Sequence, residues 1–201
     1  PPSLCNDSWE FRKICRVGSV MPNAMCMGDV DGDGTDEVMF GTSEGHLVIL
    51  KNGVREPMFV RDVNGTVSVV LWNAATNVLL VVCMEGKAAL VQNCVPPFDQ
   101  VLVTHMIVPA NCTAGVLCGT SQLILGSSDR RMYAYDYLQR QQVGHMFLQS
   151  QIFSIDLFRL CGKPIVAVGT TQEVQLIEAS EPEKWDTGSD SCILWRWSID
   201  R

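Results

Sequence analysis

The sequence has few of the features that mark a membrane-spanning, nucleic-acid-binding or catalytic protein. Its longest apolar run, Val78 to Met84, is about seven residues, whereas a membrane-spanning helix needs about 20. A formal net charge of -7 disfavours binding to nucleic acid or to an acidic membrane surface. There is no P-loop or G-x-G-x-x-G motif, and the three histidines are widely separated. We therefore predict no membrane span, no nucleic-acid partner and no enzymatic activity.

The cysteines do not form a recognisable disulfide or metal-binding pattern. There are nine, an odd number, with no C-x-x-C pair, and Cys26, Cys83 and Cys118 lie in apolar, strand-like runs. Such usage is typical of reduced thiols that pack as small hydrophobes inside the cell. Three glycosylation sequons, at Asn6, Asn64 and Asn111, would be used only in a secretory compartment. The composition favours a cytoplasmic protein and leaves a secreted one as the alternative.

A repeat of about 43 residues runs through the chain. Four rows align on Gly41, Cys83, Gly126 and Gly169, at spacings of 42, 43 and 43 residues. Each row contains a short apolar strand, a polar loop, a second strand such as Glu37–Phe40 or Pro164–Val168, a tight turn and a third strand. We expect a fourth, outer strand in each row, and place these strands at residues 57–61, 101–107, 143–149 and 192–199.

Four antiparallel strands repeated at this period indicate an all-β fold, a β-propeller of four-stranded antiparallel blades. We place the blades at about residues 23–62, 65–109, 110–151 and 152–201, with the outer strand of a preceding blade at about 9–17. Doubly apolar runs such as "VLLVVCM" fit blades that are covered on both faces. The expected architecture is a section of a larger ring of six to eight blades, or one that closes by pairing with another chain. A β-sandwich of short strands is the alternative fold.

An acidic loop interrupts the first row between its first two strands. Residues 29–37 follow the pattern D-x-D-x-D-G-x-x-E, which presents oxygen atoms at alternating positions, while Gly34 permits a tight bend. Calcium prefers six to eight oxygen ligands. We predict that calcium is bound by the carboxylates of Asp29, Asp31, Asp33 and Glu37 and by the backbone carbonyl of Thr35, with Asp36 pointing outward. A solvated acidic turn without metal is the alternative.

The string "DVDGDGTDEVMFG" resembles the FG-GAP repeat of integrin α-subunit propellers, whose D-x-D-x-D-G-x-x-D loops bind calcium inside a blade. The resemblance implies a structural metal site, and the chain departs from the pattern by having Glu37 in place of Asp. Residues 9–92 are also similar to intracellular integrin-α-like FG-GAP repeat proteins, a family with a member in the KICSTOR complex. That similarity implies a scaffold with other protein subunits as partners, such as KICSTOR or GATOR components, in nutrient signalling to the TOR kinase at the lysosomal surface.

The residues themselves leave two further questions open. Trp195 and Trp197 alternate in "CILWRWSID", so both indoles should lie on one face of an outer strand, where they either pack against a neighbouring blade or anchor a partner.

The predicted function is a non-enzymatic scaffold for protein–protein interaction. The alternative is an extracellular propeller of the integrin type that mediates adhesion or binds ligands.

Overall fold

The computed structural model describes residues 18–51, 54, 56–185 and 192–198, and these residues are almost entirely β-structure. The first sheet consists of β1 (Val20–Gly28), β2 (Glu37–Thr42), β3 (His46–Leu50) and β4 (Phe59–Asp62). The second consists of β5 (Val67–Asn73), β6 (Val78–Cys83), β7 (Lys87–Gln92) and β8 (Leu102–Ile107).

The third sheet consists of β9 (Cys112–Cys118), β10 (Gln122–Ser127), β11 (Arg131–Asp136) and β12 (Gln141–Phe147). The fourth consists of β13 (Ile152–Leu160), β14 (Lys163–Thr170), β15 (Glu173–Glu178) and β16 (Ile193–Ser198), with a short 3₁₀ helix (Pro182–Lys184) between β15 and β16. No helix among these described residues is long and apolar enough to cross a membrane.

Each sheet is an antiparallel meander in chain order, and the four sheets pack as blades through their first strands, β5 between β1 and β9, and β9 between β5 and β13. The Asn23 side-chain amide on β1 donates hydrogen bonds to the carbonyl oxygens of Thr113 on β9 (2.7 Å) and Phe153 on β13 (3.3 Å). The inner strands of three blades therefore meet around one centre. The predicted β-propeller is confirmed as an arrangement of four blades, and the two-layered β-sandwich is wrong.

The same backbone hydrogen bond recurs in all four blades, where an amide in the turn after the second strand donates to the carbonyl oxygen of the residue directly before the first strand. The bonds are Ser43 to Ser19, Met84 to Thr66, Ser128 to Asn111 and Thr171 to Gln151, at 2.8–3.1 Å. These bonds mark equivalent positions in the four blades. In the second blade, the position equivalent to the predicted marker lies one residue earlier in the chain than predicted. Val82, rather than Cys83, corresponds to Gly41, Gly126 and Gly169.

The glycine at this position is explained by how closely the blades approach. A Cβ atom on Gly41 would lie 2.0 Å from Val67 Cγ1, and one on Gly126 would lie 2.6 Å from Ile152 Cγ2. Val67 and Ile152 are the first residues of β5 and β13, the first strands of the following blades. A side chain would therefore push neighbouring blades apart, because no real Cβ atom is found at such distances.

Apolar side chains fill the spaces between successive blades. Every residue of β6 is buried, with Leu79 and Val81 facing the first blade's cluster and Leu80 and Val82 facing the third blade's. A strand that alternates into two different cores must be apolar at every position. This is why the second row of the repeat contains the longest apolar run of the chain.

Most strands differ from the predicted positions by only a few residues. The outer strands were expected at 57–61, 101–107, 143–149 and 192–199, and the structure has them at Phe59–Asp62, Leu102–Ile107, Gln141–Phe147 and Ile193–Ser198. The predicted strand at 9–17 and the end of the last predicted blade, at 199–201, lie outside the described residues.

Candidate metal centre

The acidic loop connects β1 to β2, and its two ends are held together where Gly28 pairs with Glu37. Gly32 and Gly34 have φ angles of 78° and 86°, a left-handed conformation that other residues adopt only with strain. The chain can therefore turn twice within six residues and bring alternating aspartates to the same side. The second blade supports the loop from behind, because the Trp72 indole lies where a Cβ atom on Gly28 would be, 2.2 Å from its Cδ1.

Three of the predicted ligands converge in this loop. Single carboxylate oxygens of Asp29, Asp31 and Glu37 lie within 4.8 Å of one another. No other group of three or more histidine, cysteine, aspartate or glutamate ligand atoms with metal-like spacing occurs among the described residues. The candidate site is therefore in the first blade, where the sequence pattern predicts it.

The loop backbone orients the carboxylates. The amides of Gly32 and Gly34 donate to the two oxygens of Asp29, at 2.7 and 2.9 Å. One oxygen each of Asp31 and Asp33 accepts a hydrogen bond from the amide two residues further on, at 3.2 and 2.9 Å. The second oxygens of Asp31 and Asp33 are left to face a common cation, which in this structure is an ammonium group.

Glu37 is the most unusual residue of the site. It is fully buried, and its Oε2 accepts a hydrogen bond from the Val30 amide at 3.0 Å. Its Oε1 has no hydrogen-bond donor. A buried carboxylate oxygen without a hydrogen-bond donor is destabilising. A bound cation would remove this cost, so Oε1 is suited to coordinate one. Oxygen ligands of this kind are those that calcium prefers.

Lys51 was not anticipated from the sequence, although it lies at the centre of the site. Its Nζ atom is 2.7 Å from Asp31 Oδ2, forms a short ion pair with Asp33 Oδ2 and is 4.0 Å from Glu37 Oε1. The hairpin register contains the signal that could have revealed it. Val38 pairs with Leu50, so the next position outward sets Lys51 opposite Glu37.

The ion pairs change the proton affinities of the groups involved. Hydrogen bonds from Lys51 and from Thr35 lower the pKa of Asp33 to about 2. The hydrogen bonds that Lys51 donates to Asp31 and Asp33 raise the pKa of Lys51. Desolvation raises the pKa of Glu37, although the Val30 amide opposes this shift. The site thus sets one ammonium against four carboxylates, of which Glu37 is the one whose charged form is disfavoured by desolvation.

The remaining predicted ligands are positioned less directly. Asp33 is 41% exposed and meets the cluster through Lys51 rather than through the group formed by Asp29, Asp31 and Glu37. Thr35 donates its amide and hydroxyl to Asp33 Oδ1, at 2.9 and 2.5 Å. Asp36 is exposed. Binding by Asp33 and by the Thr35 carbonyl stays a prediction.

The corresponding loop of the second blade is organised without acidic residues. There the Tyr137 hydroxyl, supplied by the third blade, contacts Asn73 Nδ2 (2.8 Å), Thr76 Oγ1 (2.9 Å) and the Thr120 carbonyl (2.6 Å). The loop of the second blade is thus held by a buried hydroxyl of the neighbouring blade, whereas the loop of the first blade is held by an ion-pair cluster.

One short segment matches a hydrolase motif, and the structure gives it a different role. Residues 41–45 read GTSEG, the G-x-S-x-G spacing of a nucleophile elbow, which requires a turn from a strand into a helix. Here Ser43 lies in the hairpin turn between β2 and β3. Its amide forms the recurring hydrogen bond to Ser19, so the motif is part of the repeat geometry.

Four cysteines among the described residues, Cys83, Cys94, Cys112 and Cys118, are buried and form no disulfide bond. Burial raises the pKa of Cys112 to about 12 and the pKa of Cys83 and Cys94 to about 11. A thiol held in its neutral form in an apolar environment is a poor nucleophile and a poor metal ligand. These cysteines therefore act as small core residues.

The fold and the site together define a β-propeller protein with a cluster of carboxylates in one loop of its first blade. The chain is similar to KICSTOR complex protein ITFG2. It is 25% identical to the mouse protein over 169 residues, which cover 73% of this chain and 38% of the relative. It is 33% identical to the bovine protein over 73 residues, which cover 34% of this chain and 14% of the relative.

The matched part of the chain spans 38% or less of the length of these curated relatives, and no family model matches. Among solved structures, the chain resembles BBS1N from a crystal structure of its complex with ARL6DN soaked with mercury, at a TM-score of 0.62 and 14% identity. The likeness covers 81% of this chain and 51% of that one. A second crystal structure of this complex, soaked with lead, gives a TM-score of 0.58 at 13% identity. That likeness covers 81% of this chain and 55% of the other. At these identities the likeness is one of fold.

Proposed function

We propose that this protein is a non-enzymatic β-propeller scaffold that binds other protein subunits and holds one structural calcium ion in the loop between β1 and β2. The observation that carries the calcium proposal is Glu37 Oε1, a fully buried oxygen without a hydrogen-bond donor beside the carboxylates of Asp29 and Asp31. Asp33 and the Thr35 carbonyl would complete the coordination. The ion would fasten β1 to β2 at the edge of the blade.

The scaffold proposal rests on the similarity to KICSTOR complex protein ITFG2. We propose that the chain acts as a subunit of a KICSTOR-like complex in the cytoplasm, at the lysosomal surface, in nutrient signalling to the TOR kinase. Exposed aromatic residues support a role in protein binding. The indoles of Trp195 and Trp197 lie on one face of β16, and their ring centroids are 6.3 Å apart. Trp195 is 48% exposed and Trp197 is 60% exposed. Side chains of this type often anchor partners.

Calcium binding is tested by thermal unfolding with and without the ion. A ligand present at about 100 times its dissociation constant stabilises the folded state by about 2.7 kcal/mol, which shifts the Tm of a domain of this size by roughly 5–10 °C. We expect a shift of this order when 1 mM calcium replaces a chelator. Asp31→Ala should abolish the shift because Asp31 belongs to the converging group.

The matched control is Asp36→Ala, which removes the same charge from the same loop at an exposed side chain. This variant should keep the calcium response. A midpoint that does not change with calcium in the unmodified protein would rule out the structural ion. Equal loss of the response in both variants would show that net charge, and not coordination, is responsible.

The scaffold role is tested separately, by co-expression with the other KICSTOR subunits and size-exclusion chromatography. Co-elution that is weakened by the double change Trp195→Ala and Trp197→Ala would support it. Separate elution of the folded chain from every subunit would contradict it.

A further inference from the structure

Lys51 occupies the position that a metal ion in this loop would require. Its ammonium contacts Asp31 Oδ2 and Asp33 Oδ2, which are the two oxygens that the loop amides leave available. Calcium would bind such oxygens at about 2.3–2.6 Å. Two cations cannot share these atoms, so the ammonium and a divalent ion exclude one another.

The ammonium satisfies the site incompletely. An ammonium group has three donors, and the described contacts use two of them, on Asp31 and Asp33. Glu37 Oε1 is 4.0 Å from Nζ, beyond hydrogen-bond distance, and is the buried oxygen without a donor. A divalent ion with six to eight ligands would reach the oxygen that the lysine leaves without a partner.

Lys51 is also able to leave. Its side chain is 31% exposed, whereas the side chains of Asp31 and Glu37 are 6% and 0% exposed. It lies directly after the end of β3. A lysine has a long flexible stem, so the ammonium can move into solvent while the carboxylates stay in the loop.

We propose that Lys51 is a tethered cation that holds the acidic loop together in the absence of metal and is displaced when a divalent ion binds. This inference rests on the proposed calcium site and adds its regulation. The loop stays folded in both states, and the apparent affinity for calcium is set by the exchange of one cation for the other. Calcium can bind only to the state in which Lys51 has left the carboxylates. Because only a fraction of the molecules is in that state at any time, the observed affinity for calcium is reduced by that fraction.

The test is calorimetric titration of calcium into protein freed of metal with a chelator. Lys51→Met keeps the length of the side chain and removes its charge, so the carboxylates no longer have a competing cation. We expect calcium to bind about tenfold tighter or better, as for a competent state populated at 10% or less. In chelator the same variant should have a lower Tm than the unmodified protein, because the carboxylates then repel one another.

Two controls separate competition from a general effect of charge. Lys87→Met removes the same charge from an exposed lysine at the start of β7 in the second blade and should leave the affinity within about twofold, since the effect of an exposed charge is screened by salt. Lys51→Arg keeps a competing cation and should stay much closer to the unmodified affinity than Lys51→Met does.

The outcomes distinguish this inference from the calcium proposal itself. If the unmodified protein and Lys51→Met bind calcium equally well, or if Lys51→Met binds it more weakly, the tethered cation is wrong while the calcium site stands. If neither protein binds calcium, the proposed site fails and the inference fails with it.

A second measurement does not depend on the folding of any variant. In the unmodified protein with isotope-labelled lysine, the side-chain signal of Lys51 should change when calcium is added and the signal of Lys87 should not. An unchanged Lys51 signal at saturating calcium would overturn displacement.

Discussion

The Tyr137 hydroxyl offers a direct test of how the second and third blades are joined. Tyr137 follows β11 and is fully buried. Its hydroxyl donates to the Thr120 carbonyl at 2.6 Å, accepts from Asn73 Nδ2 at 2.8 Å and contacts Thr76 Oγ1 at 2.9 Å. Asn73 and Thr76 belong to the second blade and Thr120 to the third, so one atom connects two repeats.

Tyr137→Phe removes this atom and preserves the ring. A typical hydrogen bond contributes about 1 kcal/mol net, and a buried group left without a partner costs about 1–3 kcal/mol. Asn73 Nδ2 keeps weaker contacts with the carbonyls of Gly119 and Thr120, at 3.3 and 3.4 Å, which offset part of the loss. We therefore expect the free energy of unfolding to fall by about 2–3 kcal/mol, or the Tm by roughly 5–10 °C.

The matched control is Tyr135→Phe, on the preceding strand. The Tyr135 ring is also buried, and its hydroxyl makes one long hydrogen bond, 3.2 Å, to Gln142 in the same blade. Its loss should cost at most about 1 kcal/mol. Urea unfolding of both variants provides the measurement, and their m-values should be equal. Equal destabilisation of the two variants would refute the idea that the Tyr137 hydroxyl links the blades.

Two further predictions concern titrating groups. In chelator, Glu37→Gln should be more stable than the unmodified protein at neutral pH, because desolvation raises the pKa of Glu37. Since a carboxyl with a raised pKa loses its stabilising effect as the pH rises, the difference in Tm should be small near pH 4 and grow above it; a difference that shrinks with rising pH would contradict this. Among the thiols, exposed Cys161 should react quickly with a disulfide reagent in the native protein, and Cys112, whose pKa burial raises to about 12, only after unfolding. Equal rates by peptide mapping would show that the third blade is open at β9.

Local patterns along the chain predicted most of the fold. Alternation of apolar residues with period two defines strands, and strands such as β6, which is apolar at every position, can only lie between two cores. The 43-residue spacing therefore led to stacked blades. The exact register did not follow, because the marker in the second row is displaced by one residue. The structure aligns Cys83 with Thr42, since Cys83 pairs with Val67 as Thr42 pairs with Val20.

The acidic loop shows the same division between local and distant information. The alternation of Asp29, Asp31 and Asp33 with Gly34 is local, and it predicted where a cation site would form. The burial of Glu37 and the position of Lys51 depend on the pairing of β2 with β3, which sets Lys51 opposite Glu37 across the hairpin. These two features decide the charge balance of the site.

By itself, the sequence determined the strand pattern, the repeat and the place of the acidic loop, because each depends on neighbours along the chain and on the two-residue period of a strand. Only the tertiary structure decided which charges meet in the loop and which hydroxyl joins the second and third blades. Those contacts arise when separate hairpins and blades pack together, and packing brings together residues such as Tyr137 and Asn73 that no local periodicity relates.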